Sequence, residues 1–136
     1  MHAYFLDTSI VIDCLRGNKK TLNFINSLKA SLYINYIVIA ELSEGIYRVK
    51  DSKLMEAGVD AFIGGVDGVL PINYNVSKLF GKIRSDLKEK GQMVEDFDIL
   101  IASTCIENNL PIITLNRKHF VRIVGLEVFT PDDFKN

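Results

Sequence analysis

The chain opens on a short apolar and aromatic run, His2-Ala3-Tyr4-Phe5-Leu6, followed at once by Asp7-Thr8-Ser9. Continuous apolar runs of this length suit a strand buried on both faces, and Asp, Thr and Ser suit a helix start. The pattern therefore predicts a buried strand and then a helix to Leu15. Gly17-Asn18 ends that helix, and Leu22, Phe24, Ile25 and Leu28 recur at three- and four-residue spacing, the mark of a second amphipathic helix. Ser31 to Asn35 alternates and is rich in β-formers, after which Ile39, Leu42, Ile46 and Val49 form a helical stripe to about Lys50. Glu41 lies off that stripe. Gly45, four residues further along Glu41's own face, leaves room beside the carboxylate for an ion or a substrate backbone.

Lys53 to Phe62 reads as a helix of looser pattern, and Gly64-Gly65 with Asp67-Gly68 is the clearest break in the chain, too short for a domain linker. Gly68 to Ile72 reads as a strand. Asn75 is the expected cap of a helix carrying Val76, Leu79, Phe80, Ile83 and Leu87 on one face, with Gly91 as its stop. A loop with Glu95 and Asp96 leads to Asp98, which opens Ile99-Leu100-Ile101-Ala102, a helix apolar nearly all round and hence buried on several sides. Asn109-Leu110-Pro111 ends it. Pro111 to Thr114 gives a fourth strand, Arg117 to Val121 a helical turn, and Glu127-Val128-Phe129 a final strand. No internal repeat or low-complexity segment interrupts this order. Alternating strands and helices predict a parallel sheet of about five strands covered on both faces, a three-layer α/β/α domain. Ligands of such sheets gather at the carboxyl ends of the strands.

Composition narrows the picture. With 136 residues, 48% of them apolar, one domain over 1–136 is expected, burying about two thirds of its unfolded surface. No apolar stretch approaches the ~20 residues that span a bilayer, which argues against a membrane protein. A strand starting so near Met1 leaves no room for a secretory signal, so the cytoplasm is the expected compartment. Cys14 and Cys105 lie in apolar helical segments without Cys or His at ligand spacing and are expected to be reduced core residues. Sixteen basic against seventeen acidic residues exclude a broad attraction to polyanions, so any nucleic-acid contact must be local.

The candidate chemistry is acidic. Asp7 closes one strand, Thr114 and Asn116 close another and Asp98 opens a buried helix, so they are expected at one sheet edge, within reach of Glu41. Clustered carboxylates repel one another by several kcal/mol at intermediate dielectric, so such a group holds a proton or a cation. An oxygen-only set favours Mg2+ or Mn2+, which lowers the pKa of a water and offsets charge on a phosphate, the requirements of phosphodiester hydrolysis. Taken singly, each acid also has an ordinary use. Asp7 and Asp98 stand where N-caps stand, Glu41 suits a solvated helix face, and Asp96 suits a loop or cap. His119, between Lys118 and Phe120, and His2 read as packing or surface residues. Arg84, Lys88 and Lys90 form a basic side of one helix, and Arg117-Lys118 follows the fourth strand. Arg84, Lys88, Arg117 and Lys118 are candidate RNA contacts, with a solvated face as the plainer reading.

The ordered set Leu6-Asp7-Thr8-Ser9-Ile10-Val11-Ile12-Asp13, Ala40-Glu41-Leu42-Ser43-Glu44-Gly45, Asp98-Ile99-Leu100-Ile101-Ala102-Ser103 and Thr114-Leu115-Asn116-Arg117-Lys118-His119-Phe120 resembles the PIN-domain family and, more narrowly, VapC-type toxins. The resemblance covers almost the whole chain. It implies a Mg2+- or Mn2+-dependent endoribonuclease, with Asp7, Glu41 and Asp98 at the three acidic positions that hold the metal. It further implies a homodimer and a small cognate antitoxin, which inserts a basic side chain into the acidic pocket and binds operator DNA through its other end. The family's fourth acidic position falls at Asn116, a departure that weakens a second ion site more than the first, with Asp96 a candidate for the missing charge. On this footing Asp7 and Asp98 are direct ligands, Glu41 a ligand or water-orienting base, and Asn116 a water-mediated contact. Thr8, Ser9 and Thr114 supply supporting hydrogen bonds.

Two other classes compete. A haloacid-dehalogenase-like phosphatase needs a second Asp where Ser9 stands, and a response-regulator receiver needs an adjacent acidic pair before the first helix; the sequence has neither. A catalytically silent PIN-like module that binds RNA or an antitoxin is the third reading, suggested by Asn116 and the lack of a strong basic patch.

Overall fold

The computed structural model describes residues 2–134. Strand β1 (His2–Leu6) lies at the centre of a sheet with β2 (Ala30–Asn35) and β3 (Gly68–Leu70) on one side and β4 (Ile112–Ile113) and β5 (Val128–Phe129) on the other. Every pairing is parallel. The chain builds outward through β2 and β3, then crosses back to place β4 against the free edge of β1. This reversal makes the gap between the carboxyl ends of β1 and β4 the topological switch point, where ligands of such sheets bind. Register fixes what emerges there: Leu6 pairs with Ile113, and the Asp7 N–H donates to the Ile113 carbonyl at 3.0 Å. Asp7 and Thr114 therefore leave the sheet side by side.

The helices are α1 (Thr8–Leu15), α2 (Lys19–Ser27), α3 (Tyr36–Arg48), α4 (Ser52–Gly65), α5 (Tyr74–Glu89), α6 (Asp96–Glu107) and α7 (Arg117–Phe120), with a short 3-10 turn at Pro131–Phe134. None is long and apolar enough to cross a membrane among the described residues. The core runs through Phe5, Leu6, Ile34, Ile112 and Ile113 of the strands and Ile10, Leu42, Ile99, Ile101 and Phe120 of the helices, all at most 1% exposed. Full burial of each such side chain stabilises by roughly 1.5–3 kcal/mol. Both cysteines are free and buried, as expected, and burial pushes the Cys14 thiol up to about 11 and the Cys105 thiol up as well.

Several boundaries differ from the sequence reading for physical reasons. Asn73, not Asn75, caps α5: its side chain accepts from the Val76 N–H at 3.0 Å, while Asn75 lies exposed in the first turn. Gly64-Gly65 is not a break but the last turn of α4, and the true chain reversal is the Asp67 region, whose carboxylate accepts from the Leu32 N–H at 2.7 Å. The buried stripe of α3 is Val38, Leu42 and Ile46; Ile39 is only partly buried and Val49 lies beyond the helix and is exposed. Helix α6 begins at Asp96 after Glu95, so Asp98 belongs to its first turn and does not cap it, and Asp96 is not a loop residue. A Cβ at Gly45 would meet Met55 Cε at 3.7 Å, so the space there belongs to the α3–α4 contact and not to an ion beside Glu41.

Candidate functional site

Asp7 occupies the N-cap position of α1 yet makes no capping hydrogen bond. Its carboxylate turns instead to two hydroxyls: Thr114 Oγ1 donates to Oδ2 at 2.7 Å and Ser9 Oγ donates to the same oxygen at 2.8 Å. Each hydroxyl oxygen in turn accepts a backbone N–H, from Asn116 to Thr114 at 2.9 Å and from Leu115 to Ser9 at 3.1 Å. An oxygen that accepts from the backbone directs its own proton outward, so both protons are aimed at Asp7. The residue is 4% exposed, and both hydrogen bonds fall on Oδ2. Capping is thus displaced by a dedicated cradle.

Glu41, on α3, is half-buried and accepts from Thr8 Oγ1 at 2.6 Å, which joins α3 to the first turn of α1. Burial pushes its carboxyl up, the Thr8 hydrogen bond opposes that, and the charges of Asp7 and Glu44 add to it. Asp98, in the first turn of α6, has a side chain 14% exposed, and His119 Nδ1 lies 3.2 Å from its Oδ2. Burial, then the charge of Asp7, with smaller contributions from Glu41 and Glu95, holds the Asp98 carboxyl at about 6, against the opposing pull of His119. Three acids, from the end of β1, from α3 and from α6, therefore sense one another across one cleft of about 710 Å³, which Asp96, Asn116, His119 and Arg16 also line.

The other expected residues divide. Asn116 precedes α7 without a side-chain cap hydrogen bond and lines the cleft. Asp96 lines it too, but its carboxylate is engaged by Arg84 Nε at 2.8 Å, which offsets the charge it was expected to supply. Arg84 is tied down by that pair, and Arg117 pairs with Asp133 at 3.1 Å. Lys88 and Lys118 are exposed. Arg84 and Lys118 meet Arg122 around a smaller adjoining hollow of about 400 Å³. Arg16, Phe97 and His119 line the cleft and Arg122 the hollow beside it, none of them expected there from the sequence. The signal for His119 was its place in the segment Thr114 to Phe120, which returns to the site.

A stability test follows from Asp98. A folded-state value near 6, above the ordinary carboxylate range, means the folded protein binds more protons than the unfolded chain between about pH 4 and 6. Stability is then fully present below about pH 4 and is lost as pH rises through 6. In EDTA, the unfolding free energy from urea titration of the native chain, taken relative to Asp98→Asn, should fall across that window by about 1 kcal/mol, after allowance for solvent screening. Parallel pH profiles for the two proteins would show that Asp98 feels no such burden.

Residues 4–126 match the PIN domain family model. Over 127 residues the chain is 38% identical to Ribonuclease VapC of Rickettsia bellii, covering 92% of this chain and 93% of that protein. Over 130 residues it is 28% identical to the tRNA(fMet)-specific endonuclease VapC of Shigella flexneri, covering 93% and 96%. The fold is similar, at a TM-score of 0.87 and 27% identity over 94% of this chain and 98% of the other, to a chain of VapBC2 from Rickettsia felis, whose crystal structure holds a DNA fragment from its promoter. A sheet whose switch point gathers Asp7, Glu41 and Asp98, together with a family match over nearly the whole chain, leads to one assignment: the chain belongs to the PIN-domain family, among its VapC-type members.

Proposed function

We propose that this chain is the toxin of a VapBC-type toxin–antitoxin pair, an endoribonuclease that hydrolyses RNA phosphodiester bonds with Mg2+ or Mn2+ held by Asp7, Glu41 and Asp98. The observation that carries the reading is the Asp7 cradle, which spends two hydroxyls and two backbone N–H groups on orienting one buried carboxylate toward two other acids. The donor chemistry suits a hard divalent cation: three carboxylates in mutual repulsion, with Asn116 adding a neutral oxygen. Among the described residues no three His, Cys, Asp or Glu side chains stand as a ready-made cage, so ion binding would draw the carboxylates inward. A bound ion would lower the pKa of a water and offset charge developing on the phosphate.

Within that scheme the chain's own groups have distinct tasks. Ser9 and Thr114 fix Asp7, Thr8 holds Glu41 at one oxygen, and His119 holds Asp98. Glu41 either binds the ion or orients the attacking water, and Asn116 contacts the site through water. One neutral residue in place of a fourth acid favours a single ion. The relatives' names support RNA as substrate, and the DNA-bound VapBC2 complex supports an antitoxin partner; any contact with DNA would run through that partner. A homodimer acting in the cytoplasm completes the proposal.

Purified protein, freed of any co-purifying antitoxin, is to be incubated with total RNA in Mg2+ or Mn2+, with EDTA, and with EDTA followed by excess Mn2+. Defined fragments should appear with either metal, vanish in EDTA and return on re-addition. Equal cleavage in every tube would sink the metal assignment, and intact RNA throughout would sink the nuclease.

A further inference from the structure

The acidic cleft has a feature that hydrolysis of a phosphodiester does not require. Phe97 lies between Asp96 and Asp98 in the first turn of α6, lines the cleft, and is 49% exposed. Of the eight phenylalanines in the sequence, the other seven belong to the core or pack against it. Phe has no polar atom to justify exposure, unlike the exposed tyrosines Tyr47 and Tyr74. Leu115, 44% exposed, presents a second apolar surface to the same cleft from the segment joining β4 to α7. Two separate elements thus bring exposed apolar surface into a cleft lined mainly by charged and polar side chains, six of them carboxylates.

Resting on the ribonuclease reading above, we propose that Phe97 is a stacking platform for one unpaired nucleobase next to the bond that is cut. Asp13 and Glu95 join the three site acids along this cleft against Arg16 and His119, with Asp96 offset by Arg84, so its wall repels a phosphate backbone where no cation screens it. A base is neutral, and stacking on an aromatic face asks nothing of charge or sequence. Phe97 and Asp98 line the same cleft from the first turn of α6, so a base lying on the ring would belong to a nucleotide close to the reacting phosphate. Bases in a duplex are stacked on their neighbours and reach such a ring only by flipping out, whereas loops and bulges offer them freely.

The test compares the native chain with Phe97→Leu, which keeps apolar bulk, and Phe97→Tyr, which keeps the ring, on a hairpin RNA with its cleavage site in the loop. Leu should lower kcat/KM about 5- to 100-fold, chiefly through KM, and Tyr should stay within about threefold. Melting temperature and Mn2+ affinity should be unchanged in both. In parallel, a short unpaired RNA carrying 2-aminopurine is titrated with Asp7→Asn protein in Mn2+. Its fluorescence should be quenched when Phe97 is present and not in the Phe97→Leu, Asp7→Asn double variant. Native-like cleavage by Phe97→Leu, equal losses for Leu and Tyr, or a defect confined to antitoxin binding would each overturn the platform and leave the nuclease standing. Quenching by a chain that cuts no RNA would do the reverse.

Discussion

Asp7→Asn should abolish metal-dependent RNA cleavage, lowering kcat/KM by about 1000-fold, while leaving the protein folded and slightly more stable. The two halves of that result have separate causes. Asn can accept from Ser9 and Thr114 through its amide oxygen, so the cradle that holds residue 7 keeps its geometry. What disappears is the negative charge that pushes up both Glu41 and Asp98. Relief of that repulsion should raise the melting temperature without metal by about 3 °C, in line with ~1 kcal/mol in a domain of this size. The stabilisation the native chain gains from Mn2+ should shrink at the same time, because less ion is bound by the folded state. Activity within tenfold of native would remove Asp7 from the chemistry. A lower melting temperature together with lost activity would instead make Asp7 a residue that holds the fold.

This opposition of activity and stability explains why Asp7 was ambiguous in the sequence. An Asp between a strand and a helix is a good N-cap, and local context cannot tell a cap from a ligand. The deciding partner is Thr114, 107 residues away, and its proton is aimed by the backbone of Asn116. The strand and helix order was legible because most apolar runs are short and punctuated by Gly, Asn or Pro, and that order places the carboxyl ends of β1 and β4 at the switch point. Helix starts were less legible. At Asn73 and Asn75 two good caps stand two residues apart, and only the geometry of the Val76 N–H chooses between them. Asp98 lies inside its helix because the helical backbone already begins at Asp96, with Glu95 at a cap position where no side-chain hydrogen bond marks the start. The basic residues were the least legible: sequence shows charge but not that Arg84 and Arg117 are already paired with Asp96 and Asp133. His119 reads as a packing or surface residue because a lone His beside Lys118 and Phe120 does not reveal that it lines the acidic cleft, and nothing in the sequence singles out Phe97, which lines it too.

A residue with no chemistry of its own should have the second large effect. Asn35 ends β2 fully buried, its side-chain oxygen accepts from the Val38 N–H at 3.0 Å to cap α3, and its amide donates to Thr104 Oγ1 at 2.9 Å. It therefore clamps α3 to the middle of α6. Glu41 stands six residues along α3 from Asn35, and Asp98 six residues before Thr104 on α6. Asn35→Ala would leave the Val38 N–H unpaired in the interior and open a small void, costing about 2–3 kcal/mol, or roughly 10 °C in melting temperature. Well below that temperature, cleavage should still fall by about 10- to 100-fold, because a small displacement of Glu41 against Asp98 disturbs the alignment on which the reaction depends. Asn35→Ser separates the two contributions: serine caps α3 but is too short to reach Thr104. It should recover about half of the lost stability and little of the lost activity. Full recovery of activity by serine would show that the cap alone matters and that the clamp between α3 and α6 positions nothing.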